Sequence, residues 1–253
     1  MQNNIFNRTF IALNMNRLFG LFLVFIFFTS CVQEEVVTFT SVSKIHEENA
    51  SIEINIPVAQ GETVLSKSIN KTINDHIANM LNFSEEPVNN LDLDQAIEQF
   101  DQEYSSFKSD IAESALVWEA IFDSEVIYQS SEVICIALNS YLNTGGAHGN
   151  MNITLYNFDG ETGELLEPKD LVSDLDKFTE FVKPYFIQAI AQKDDEGIEE
   201  YFFGDPFHLP ANIGINDDGL LILYNVYEIG SYAQGITEFT IPFEDVQAFL
   251  QYQ

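Results

Sequence analysis

The chain has 253 residues and sets 40 Asp and Glu against 10 Lys and Arg, a formal charge of −30 at pH 7. That balance excludes nucleic acid and anionic lipid surfaces as partners and favours basic proteins or cations. Apolar residues make up 46%, with 22 phenylalanines, which excludes a disordered chain and suits one large domain or two small ones.

The N-terminus carries the compartment signal, since Arg8 and Arg17 precede an apolar run from Leu18 to Phe28, and no acid occurs before Glu34. The run is shorter than the ~20 residues of a membrane span and leads into Thr29-Ser30-Cys31. It resembles a bacterial lipobox, with Phe28 where the pattern prefers leucine. The resemblance implies a signal peptide over residues 1–30 and lipidation of Cys31; an uncleaved N-terminal anchor is the alternative. Either places the body outside the cytoplasm, in the cell envelope. Val32-Gln33-Glu34-Glu35 resembles the acidic export signal of Bacteroidetes-type surface lipoproteins. Loss of the two arginines takes the charge from −30 to −32. Cys135, in "VICIAL", then has no disulfide partner and reads as a small buried residue.

Residues 31–48 are polar and without period, as in a tether. "ASIEINIPVA" alternates through Ile52, Ile54 and Ile56, which predicts a half-buried strand ending at Pro57. Helical spacing follows in Val64, Leu65, Ile69, Ile73, Ile77, Met80 and Leu81, and "FSEEPVNN" breaks it. A second helix is expected from Asp92, with Ala96, Ile97, Phe100, Tyr104 and Phe107 on one stripe and acids opposite.

Three β-rich segments come next, "ALVWEAIFDSEVIYQ", "EVICIALNSYLN" and "GNMNITLYNFD", and their short links predict an antiparallel meander. Turn chemistry in "NFDGETGELL" leads to a helix over Asp174 to Ala191 despite Pro184. "ANIGI", the turn Asn216 to Gly219, "LLILYNVY" and "ITEFTI" predict further strands, with a type I′ hairpin at the turn. Pro242 suits the start of a terminal helix reaching Gln251. Strands and helices are segregated, which argues for an α+β fold, an antiparallel sheet packed with helices, over a parallel α/β sheet.

Tyr141, Gly145-Gly146-Ala147-His148-Gly149, "NFDGETGELL", "PKDLV" and "GINDDGLLILYNVYEIGSYAQGITEFTIPFEDV" occur in consistent order over Val117 to Leu250. Together they resemble the extracellular domain of unknown function shared by RsiV, a lysozyme-sensing anti-sigma factor, and PdaC, a peptidoglycan deacetylase. The segment Ser51 to Leu81 resembles the smaller companion domain that often precedes it. The implied organisation is a companion subdomain over 49–116 and an RsiV-like domain over 117–253. The resemblance implies a non-catalytic module on the cell-wall side of a membrane that binds a lysozyme-like protein or peptidoglycan. It implies no cofactor or metal.

The same residues admit chemical alternatives. "INDDG" is superficially similar to the TFDDG stretch of polysaccharide deacetylases, yet that chemistry needs two histidines one helical turn apart. His46, His76, His148 and His208 supply no such pair. His148 could act as a base or ligand, but it lies among glycines and reads as a turn-shaping residue lining a binding cleft. No catalytic residue is assigned. Tyr141 and His148, with Tyr227, Glu228, Tyr232 and Gln234 of "YNVYEIGSYAQG", are the candidate binding residues. The expected function is a lipid-anchored envelope binding module; an envelope polysaccharide hydrolase or deacetylase is the enzymatic alternative, and a scaffold for an envelope assembly is the third.

Overall fold

Ile52, Ile54 and Ile56 line one side of strand β2 (Ser51–Ala59) and are buried against helices, as their alternation requires. The computed structural model describes residues 37–83, 92–110, 116–193 and 197–252. The expected signal segment, Cys31 and the acidic run after it lie outside these residues. Among the described residues, no helix is long and apolar enough to cross a membrane.

A six-stranded sheet runs in the order β1 (Phe39–His46), β2, β3 (Glu119–Gln129), β4 (Val133–Asn143), β5 (Asn150–Asp159) and β6 (Leu165–Leu166). All its pairs are antiparallel except β2 with β3. The parallel step needs a long crossover, supplied by helices α1 (Val64–Met80) and α2 (Leu93–Asp110). Thr63 caps α1 by accepting a hydrogen bond from the Ser66 N–H at 3.1 Å. Leu65, Ile69, Ile73 and Ile77 of α1 and Ala96, Ile97, Phe100 and Tyr104 of α2 are buried over the sheet. Each fully buried large aliphatic side chain contributes about 1.5–3 kcal/mol.

A second sheet, β7 (Asn212–Asn216), β8 (Gly219–Tyr224) and β9 (Thr237–Pro242), is antiparallel throughout. One side of it, with Ile213, Ile215, Leu220, Ile222 and Tyr224, packs on α4 (Leu175–Lys193) through Phe178, Val182, Phe186 and Ile190. These four recur every fourth residue, and Pro184 points to solvent between them. A four-residue helix, α3 (Pro168–Leu171), precedes α4. The other side of the small sheet, with Leu223, meets Ala137 and Leu155 of the large one. Gly214 makes this contact possible: a Cβ there would lie 2.9 Å from Cys135 Sγ and 3.1 Å from Leu155 Cδ1. The result is an α+β stack of helices, large sheet, small sheet and helix.

Asparagines stitch the two sheets. Asn225 accepts from the Ile153 N–H and donates to the Ile153 carbonyl, both at 2.8 Å. Asn212 accepts from the Leu155 N–H at 3.1 Å, and Asn157 donates to the Ile213 carbonyl at 2.8 Å. The Asn225 and Asn212 side chains satisfy backbone groups on the part of β5 that β6 does not reach, and Asn157 satisfies a carbonyl of β7.

Several expectations are corrected. Residues 39–46, read as tether, form β1, which pairs with β2 along its whole length. Its central residues are exposed, so no alternation marks it. Strand β2 continues through Pro57 to Ala59, because its pairing with β3 stops at Asn55 and a missing N–H on that side costs nothing. The hairpin at Asn216 forms, but Asp217 and Asp218 do not take the positive φ of a type I′ turn. Instead the Asn216 side chain accepts from the N–H groups of Asp218 and Gly219 at 3.0 and 2.9 Å. The terminal helix, α5, covers only Phe243–Val246. The chain then turns back to pair Leu250 with Val172, and Gln251 donates to the Leu171 carbonyl.

Candidate binding site

The tip between β4 and β5 carries His148, and the connection between β8 and β9 carries Tyr227 and Tyr232; the structure brings the three rings together. His148 and Tyr232 stack with centroids 4.0 Å apart and planes within 21°. Tyr227 lies 6.3 Å from His148 and 5.7 Å from Tyr232. All three residues are exposed, Tyr227 by 52% and Tyr232 by 42%.

Local chemistry holds each ring. His148 Nδ1 lies 3.0 Å from the Gly149 carbonyl. A carbonyl only accepts, so the proton of neutral His148 sits on Nδ1 and Nε2 accepts from the Tyr227 hydroxyl at 3.2 Å. Tyr141, half-buried, lays its ring over Gly149, where an added Cβ would come within 2.2 to 2.3 Å of ring atoms. Glycine is therefore required here by close approach, which answers for part of the glycine cluster.

The supporting residues are polar ones committed to backbone. Glu228 accepts from the Asn225 N–H at 2.8 Å and the Ala211 N–H at 3.3 Å, so its carboxylate shapes the turn that presents Tyr227. Tyr227 itself has φ 65°, a left-handed conformation that costs an aromatic residue about 1–3 kcal/mol. Ser231 donates its N–H to Gln234 Oε1 at 2.6 Å, closing a capping box around the short 3-10 turn that carries Tyr232. Tyr224, two residues after the buried Ile222, points inward and donates to the His208 carbonyl at 2.7 Å. Burial, with the nearby Glu228 charge, pushes its hydroxyl pKa up. The tyrosines of this segment thus divide, Tyr224 to the core and Tyr227 to the surface.

An adjoining loop adds a residue that sequence reasoning missed. The Phe202 N–H donates to the Ile229 carbonyl at 2.6 Å, and Gln234 Nε2 donates to the Glu200 carbonyl at 3.3 Å, lacing residues 200–202 to the tyrosine loop. Phe202 and Phe203 both adopt positive φ, and Phe203 is 69% exposed. Glu199, Glu200 and Asp205 are exposed around it. In "YFFGDPF" nothing distinguishes the outward Phe203 from its buried neighbour Phe202; the packing of Phe202 against Phe186, Phe207 and Tyr224 decides that.

Chemically, the arrangement offers stacking faces and hydroxyls beside carboxylates. His148 has both ring nitrogens engaged, one by a backbone carbonyl and one by a phenol, so it is oriented as a platform. The other histidines lie elsewhere: His76 Nδ1 meets the Tyr156 hydroxyl at 2.5 Å under α1, His208 Nδ1 sits 3.1 Å from the Leu209 carbonyl, and His46 lies beside Asp101.

The family described as "Deacetylase PdaC" matches residues 43–151, and the one described as "Protein of unknown function (DUF3298)" matches residues 168–244. A solved DUF3298-family protein from Bacteroides fragilis is similar with a TM-score of 0.63 at 18% identity, covering 85% of this chain and 93% of its own. One from Pseudomonas aeruginosa is similar with a TM-score of 0.61 at 18% identity, covering 85% and 94%. No curated protein matches the chain. At such identities the structural likeness is one of fold. The chain thus carries a PdaC domain followed by a DUF3298 domain, and its aromatic cluster takes His148 from the first matched region and Tyr227 and Tyr232 from the second.

Proposed function

We propose that the chain is a lipid-anchored cell-envelope protein that binds a basic, cell-wall-associated protein of the lysozyme type through the His148, Tyr227 and Tyr232 cluster. The observation that carries this reading is the exposed three-ring cluster, held by backbone-committed polar groups and bordered by exposed carboxylates. Tyrosines give contact area at small entropic cost, and a net charge of −30 steers a cationic partner. Cell-wall glycan is the alternative ligand, since sugar rings also stack on aromatic faces. Deacetylation, from the name of the family matched over 43–151, is the enzymatic alternative.

Binding of lysozyme to the full chain in detergent, compared with a similarly basic control such as cytochrome c at several salt concentrations, tests the proposal. Lysozyme should bind measurably at physiological salt, where the Debye length is ~8 Å and generic attraction is largely screened. Tyr232→Ala should weaken it by about tenfold or more without lowering the melting temperature, as expected of an exposed interface aromatic. Equal binding of both proteins, vanishing at physiological salt, would reject the reading. Hydrolysis or deacetylation of peptidoglycan fragments by the same protein would replace it with the enzymatic one.

A further inference from the structure

We propose that His46, Glu48 and Asp101 form a binding site for a zinc-class divalent cation that fastens the β1–β2 turn to helix α2. His46 ends β1, Glu48 lies in the turn, and Asp101 projects from the middle of α2. One ligand atom from each lies within 4.8 Å of the others. The His46 and Asp101 side chains are only 13% and 5% exposed, and His46 Nε2 lies 3.2 Å from Asp101 Oδ1. Despite that approach, Nε2 is buried and completes no hydrogen bond. Two ligand atoms at this separation can share one ion about 2.1 Å from each, at an angle of about 100°, as in zinc sites.

The carboxylate is already oriented for the task. Asp101 Oδ1 accepts from the N–H groups of Asn49 and Ala50, each at 2.8 Å, and Oδ2 accepts from Asn49 Nδ2 at 2.6 Å. Supporting hydrogen bonds of this kind fix a ligand's position before an ion arrives. Glu48 is exposed, so its carboxylate can rotate toward the other two. One imidazole with two carboxylates suits Zn²⁺ better than Ca²⁺ or Mg²⁺, which prefer oxygen alone. None of these residues belongs to the aromatic cluster, and the inference stands apart from the binding function proposed above.

Calorimetric titration of the EDTA-treated, dialysed full chain in detergent with ZnCl₂, and separately with CaCl₂, tests the site. A single saturable Zn²⁺ site is expected, with Glu48→Gln weakening it by about tenfold or more and His46→Gln weakening it further. Glu48→Gln should melt like the parent protein in the absence of metal, because Glu48 is exposed; its weakened binding would then be a ligand effect. Absence of saturable Zn²⁺ binding, equal affinity in the parent and both variants, or calcium binding as tight as zinc would each overturn the proposal.

Discussion

Tyr232 lies flat against His148, ring centroids 4.0 Å apart, although the two side chains come from the ends of different sheets. Stacking of exposed rings contributes little to folding by itself, about 0.5–1.5 kcal/mol for an aromatic pair. The backbone beneath it has to be fixed by other means.

Gly149→Ala should destabilise the protein by about 1–3 kcal/mol, because the new methyl group overlaps the Tyr141 ring. The cost should fall when Tyr141→Ser removes that ring. A double-mutant cycle of thermal melts measures the difference, and equal costs in the two backgrounds would mean that Tyr141 is not what requires the glycine.

Asn225→Ala should cost about 1–3 kcal/mol, since it leaves the part-buried N–H and C=O of Ile153 without their side-chain partner. It should also loosen the turn that begins at Asn225 and carries Tyr227. Urea unfolding reads the first effect, and faster amide exchange over residues 225–236 reads the second.

Stability should fall as pH is lowered below about 6.5, the ordinary range of histidine. Burial lowers the His76 pKa, so in this window the unfolded chain binds a proton that the folded protein resists. The contribution is fully present above the unfolded value and is lost progressively as pH falls toward the folded one. His76→Gln should flatten this part of the profile. Asp101 and Asp159, whose pKa values are lowered, act only at more acidic pH, below the carboxylate range. Chemical denaturation between pH 7.5 and 5 separates the two windows.

Cys31→Ala should abolish fatty-acid labelling and shift the protein out of the membrane fraction if the lipobox reading is right. Continued membrane association of the unlabelled variant would point to the uncleaved anchor.

Much of the fold was legible because burial writes a period into the sequence. The isoleucines of β2, the stripe Ile69, Ile73, Ile77 and the series Phe178, Val182, Phe186 each face a core, and their spacing states which face. The meander of β3, β4 and β5 followed from the same signal, with short links between strands. Strand β1 was not legible, since its exposed central residues carry no period; only its pairing with β2 makes it a strand. The terminal turn was lost for a related reason, because Leu250 is held by Val172 across the fold and not by its own helix. Composition and turn chemistry likewise pointed to His148, Tyr227 and Tyr232 as candidates. Whether these rings meet depended on tertiary structure: Asn225 tying the loop to β5, Glu228 shaping its turn, and a left-handed φ turning Tyr227 outward. The acidic pattern of α2 concealed Asp101, one carboxylate among many, until its buried contacts with Asn49, Ala50 and His46 set it apart. Periodic burial is a local property that a sequence records, whereas convergence of side chains from distant elements is a property of the packed chain alone.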